Sequence, residues 1–160
     1  MYKNILSEDQ LEARGKNAVA NLLARRLIVP KIFFDAAWPA KRSQIDVLAV
    51  DRAGAGDIHV VEVKVGIHAA SQSVAQLKEL PAHYKYVAIV NPSNYRLKEP
   101  TLYSSDGLGR VGVILFEEGE HNQLVARIEI APERFRVGAE IIRRIDRFTA
   151  TQHADMEIRV

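Results

Sequence analysis

Hydrophobic residues near the start of the chain recur at helical spacing. Leu11, Val19, Leu22 and Leu23 fall on one face with Gly15 and Ala18, the pattern of a helix with a single buried stripe. Ser7 followed by Gln10 forms a capping box that opens this helix. Pro30 blocks its continuation, so it ends near Leu27. The period then shortens. "KIFFDAAW" (31–38) is short, aromatic and β-branched, and predicts a strand. "QIDVLAVD" (44–51) and "DIHVVEVKV" (57–65) predict two stronger ones, with "AGAG" (53–56) as the turn between them. Helical spacing returns over 68–80, with Val74, Leu77 and Leu80 inward and Pro81 as the stop. "YKYVAIVN" (84–91) is another apolar strand. Residues 95–110 are irregular, 110–130 read as a hairpin turning at 117–122, and a last helix covers 138–148.

The order is helix, three strands, helix, strand, hairpin, helix. It predicts an α/β (α+β) fold, a mixed central sheet flanked by helices. A length of 160 residues suits one domain with a real core, and no repeat or linker divides it. The absence of cysteine removes disulfides, thiolate catalysis and Cys-type zinc sites. A net charge of +2 permits a nucleic-acid partner without demanding one. No apolar run is long enough to span a membrane, and the first residues lack a secretory h-region, so a cytoplasmic protein is expected.

Charge inside the two best strands changes this picture. Strand alternation puts Val61, Val63 and Val65 on one face and Val60, Glu62 and Lys64 on the other. Asp46 shares a face with Leu48 and Val50. If the strands pair as a hairpin, Asp46, Glu62 and Lys64 can meet on an otherwise apolar face. Buried charges must be paired, solvated at a cleft or bound to metal. An exposed ion pair on a wet sheet face is the plain alternative, and Leu48, Val50 and Val60 do not fit it. Two close carboxylates make a hard oxygen site suited to Mg²⁺ or Mn²⁺. Such an ion activates water and stabilises charge on a phosphate, and a neighbouring lysine orients the water.

"IDVLAV" followed by "VVEVKV" resembles the motif of the PD-(D/E)XK nuclease superfamily, which has the restriction-endonuclease-like fold. The element order over about 7–91 matches that family's core, leaving 92–160 as an elaboration. The resemblance implies a Mg²⁺-dependent nuclease, with Mn²⁺ as a substitute, acting on DNA in repair, restriction or phage defence. It assigns Asp46 and Glu62 as metal ligands, the Val63 carbonyl as a further ligand, and Lys64 as the motif lysine. Ile45 stands where the motif has Pro. A catalytically inactive relative that binds nucleic acid or protein is the alternative.

The same resemblance implies a helix-1 carboxylate, Glu8 or Glu12, with Glu12 preferred for its place beside Leu11, Gly15 and Val19. Acids early in a helix are also favoured by its dipole. It further implies a glutamine on the second helix. Gln76 fits, with Gln72 one turn earlier, and both can equally be solvent-facing. Lys41 and Arg42, just before the Asp46 strand, are placed to meet a phosphate backbone. Arg143, Arg144 and Arg147 read as the wet face of the last helix. The five histidines show no zinc spacing, and Trp38, Phe33 and Phe34 read as core. A homodimer through the 111–130 hairpin is left open.

Overall fold

The computed structural model describes residues 6–38, 44–53, 56–91 and 99–157. Helix α1 spans Glu8–Arg26, and its Ser7/Gln10 capping box forms as the sequence predicts. Strands β1 (Pro30–Ala36), β2 (Ile45–Asp51) and β3 (Ile58–Val65) follow. Helix α2 (Ile67–Glu79) leads to β4 (Tyr84–Val90), and the β5/β6 hairpin comprises Gly112–Glu118 and Leu124–Ile130. Helix α3 (Ala139–Thr151) runs three residues beyond the predicted end at Phe148. A 3₁₀ turn at Glu99–Leu102 and a two-residue strand β7, Met156–Glu157, carry too little pattern to be read in advance.

All seven strands form one mixed sheet in the order β6-β5-β4-β3-β2-β1-β7. β1, β2 and β3 are antiparallel neighbours. The α2 connection reverses direction, so β3 and β4 are parallel, as a helical crossover permits. β5 joins β4 in parallel and β6 closes that edge antiparallel. The hairpin therefore extends the same sheet rather than standing apart from it.

Helix α1 covers one face. Leu11, Val19, Leu22 and Leu23 pack there on Val47, Val61, Val63 and Ala88. Helices α2 and α3 cover the other, where Val74, Leu77 and Ile145 meet Leu48, Val60, Val87 and Ile89. Trp38 and Phe33 belong to this second layer, as the sequence predicts. Gly15 sets the spacing of the first layer: a Cβ there would lie 2.8 Å from Cγ1 of Val63. Among the described residues no helix is long and apolar enough to cross a membrane.

Candidate active site

The ladder between β2 and β3 stops early. It pairs Val50 with Ile58 through Val47 with Val61 and goes no further. On its other side β3 stays paired with β4 as far as Val65. β2 stays paired with β1 as far as Ile45. The two strands thus part at Asp46 and Glu62, leaving a notch between neighbours that are each held in place elsewhere.

Parting would strand the backbone N–H of Val63, and an unpartnered buried donor costs about 1–3 kcal/mol. Asp46 supplies the partner: its Oδ2 accepts that N–H at 2.8 Å. The carboxylate is buried and its orientation is set by the backbone of the motif strand. Glu62 lies next to it. Burial raises the Glu62 pKa first, the charge of Asp46 and a hydrogen bond with its carboxyl add to the rise, and Lys64 opposes them. The result is a pKa of about 8. Nζ of Lys64 is 3.9 Å from Oε2 of Glu62, and its side chain remains well exposed.

A cleft of about 460 Å³ opens beside the notch, lined by Gln44, Ile45, Glu62, Lys64, Gln76, Leu77 and Leu80. The structure therefore brings Gln76 to the same opening as Glu62 and Lys64. Gln72 stays one turn away on the exposed surface, against His68. Gly66, at φ 86°, is the N-cap of α2 and lets the chain turn directly from β3 into the helix that carries Gln76. Ile45 is buried in the place of the motif proline and forms part of the cleft wall.

Of the two helix-1 acids, Glu8 is exposed, whereas Glu12 reaches the cluster through Lys16. Nζ of Lys16 lies 3.7 Å from Glu12, 2.7 Å from Asp35 and 3.8 Å from Asp46. Burial works against its charge. The hydrogen bond to Asp35 and the charges of Asp46, Asp35 and Glu12 outweigh that and hold its pKa above the ordinary lysine value. Asp35 takes φ 51° within β1. Sequence reasoning missed both residues. The spacing of Lys16 one turn after Glu12 was a usable signal. Nothing in "FFDA" announces a left-handed aspartate.

Lys41 and Arg42 lie outside the described residues. Arg143, Arg144 and Arg147 are on the exposed face of α3. His59 and His83 are buried away from the notch. His59 stacks on Tyr84, and burial brings its pKa down to about 4. His83 accepts the Ile58 N–H through Nδ1. His68, His121 and His153 are exposed.

Two carboxyls close enough to hydrogen-bond offer the hard oxygen donors that suit a divalent cation. Among the described residues no three Asp, Glu or His side chains are grouped so as to hold a metal ion by themselves. Water, substrate and backbone oxygens would supply the remaining ligands, as is usual for Mg²⁺.

No family model matches the chain, and no curated protein sequence matches it. Among solved structures it is similar to the SPO1766 protein of unknown function from Silicibacter pomeroyi. The match has a TM-score of 0.59 and 18% identity, and covers 92% of this chain and 87% of that one. This likeness is one of fold.

Proposed function

We propose that the protein is a divalent-metal-dependent nuclease that hydrolyses phosphodiester bonds in DNA. The observation that carries this reading is the parting of β2 and β3. It leaves Asp46 buried and hydrogen-bonded to Glu62, while Glu62 and Lys64 line the open cleft. Asp46, Glu62 and the Val63 carbonyl would hold Mg²⁺ or Mn²⁺. When bound, the ion supplies Lewis-acid activation of the phosphate and of the attacking water. Lys64 stands exposed at the rim, 3.9 Å from Glu62, where it would orient that water and meet the phosphate. Gln76 borders the same cleft and positions substrate. The proton that burial favours on Glu62 would have to leave for its carboxylate to hold the ion.

Lys41 and Arg42 would contact the DNA backbone ahead of β2. The resemblance to PD-(D/E)XK nucleases supports a role in repair, restriction or phage defence in the cytoplasm. Pairing of two copies through the β5/β6 hairpin would form a homodimer suited to cutting both strands. The test is a panel of linear, nicked, branched and single-stranded DNAs with Mg²⁺ or Mn²⁺, run beside Asp46→Asn and Lys64→Ala. Cleavage by the wild type and loss in both folded variants is the expected result. Mn²⁺ binding without cleavage of any DNA form would favour the non-catalytic binding module. Full activity in either variant would remove the mechanism.

A further inference from the structure

Lys16 stands where α1 comes nearest to the sheet. It follows Gly15, whose missing Cβ lets the helix lie against Val63. Its ammonium sits among carboxylates from three elements: Glu12 on α1, Asp35 on β1 and Asp46 on β2. Asp35 is the closest partner, at 2.7 Å. The ladder pairs Phe34 with Val47 and Ala36 with Ile45, so Asp35 lies opposite Asp46. At this one point of β1 the backbone turns left-handed, φ 51°. A non-glycine residue held there is strained, and such strain concentrates at functional sites. Asp46 is shared among three partners: Oδ1 faces Lys16, Oδ2 takes the Val63 N–H, and the carboxyl hydrogen-bonds Glu62.

We propose that Lys16 is a tethered cation that competes with the divalent ion at Asp46, and that Asp35 is the residue that draws it back; this rests on the metal-site reading above. In the metal-free protein the ammonium offsets three carboxylates held within 4 Å of it. With a divalent ion held by Asp46 and Glu62, Nζ would give up Asp46 and keep its 2.7 Å contact with Asp35, which the left-handed backbone of β1 holds in place. Lys16 and Asp35 are thus positioning residues, and together they set the divalent-ion concentration at which the site fills.

The experiment measures Mn²⁺ affinity by calorimetry and the thermal midpoint with and without Mn²⁺. It compares the wild type, Lys16→Met, Asp35→Asn and the double variant. Removing a unit charge about 6 Å from a divalent ion strengthens binding about tenfold even at the dielectric of bulk water. Lys16→Met is therefore expected to bind Mn²⁺ about tenfold more tightly, to melt earlier without metal, and to gain more from metal. Asparagine tolerates the left-handed backbone, so Asp35→Asn tests charge rather than fold. It is expected to weaken Mn²⁺ binding, and that loss should shrink when Lys16 is already methionine. Should Lys16→Met fail to fold, Lys16→Gln makes the same measurement with a polar chain. Unchanged or weaker Mn²⁺ binding in a folded Lys16 variant would overturn the proposal. So would an equal Asp35→Asn loss in both backgrounds. A wild type that binds Mn²⁺ yet cleaves no DNA sinks the nuclease reading and leaves this competition standing. Absence of Mn²⁺ binding from both wild type and Lys16→Met removes the metal reading and this role together.

Discussion

The β2–β3 hairpin has two ends that treat a carboxylate in opposite ways. At the turn end, Asp51 accepts the backbone N–H groups of Val29, Ala53 and Ile28 at 3.1, 3.2 and 3.3 Å. Burial pushes its pKa up, but those three donors outweigh it and hold the carboxyl below its ordinary value. At the parted end, Glu62 is buried against Asp46 and rises to about 8. Both acids sit on strands of the same hairpin. One is surrounded by donors and serves the fold. The other is buried beside a second carboxyl, where it is held only by keeping a proton and sharing a hydrogen bond with Asp46. Perturbed carboxylates of this second kind cluster where chemistry is done.

The comparison breaks most visibly at the parted end. Asp46→Asn or Lys64→Ala should cut DNA cleavage by at least about 10²-fold, with the far-ultraviolet spectrum and melting cooperativity intact. The pH dependence of stability sharpens the contrast next. Between 4.5 and about 8 the folded chain keeps a proton on Glu62 that the unfolded chain has released. Its contribution is full below 4.5 and is lost as pH rises toward about 8. The loss is on the order of a few kcal/mol, measurable by urea unfolding across that range. Glu62→Gln should flatten the slope, and Mn²⁺ should reverse it. Asp51 has the opposite sign: its stabilisation is present above the ordinary carboxylate range and disappears as pH falls through its lowered value. Asp51→Ala should cost about 1–3 kcal/mol at neutral pH through three orphaned donors, without touching metal affinity. Gly15→Ala should cost about 1–3 kcal/mol through its clash with Val63, and should weaken Mn²⁺ binding by displacing α1. The smallest effect belongs to Gln76→Ala, where a several-fold rise in KM with little change in kcat is expected.

Much of this was legible in the chain because hydrophobic period and turn residues are local signals. The α1 capping box, the stop before Pro30 and the order of strands and helices all appear where the pattern puts them. Alternation along "HVVEVKV" also placed Glu62 and Lys64 together on one face, which the structure shows to be the α2 side. It could not show where the β2–β3 ladder ends, since that depends on how β1 and β4 hold their neighbours. Nor could it show Lys16. Its role follows from the close approach at Gly15 and from a backbone angle at Asp35, both set by packing between distant segments. Lys85 was hidden for the same reason. It is a buried lysine on β4 that donates to the Lys78 carbonyl at the end of α2, with its pKa lowered to about 8 by burial.

Helix α1 rests on β3 at Gly15, and on β6 through Leu124 and Ala126. The acids and the ammonium all precede residue 65, whereas the strand that completes the seat of their helix lies beyond residue 123. A ribosome therefore delivers every charged group of the notch well before the surface that aligns them. A partly synthesised chain carries these charged groups without their arrangement, and the notch comes into register only as the far edge of the sheet is added.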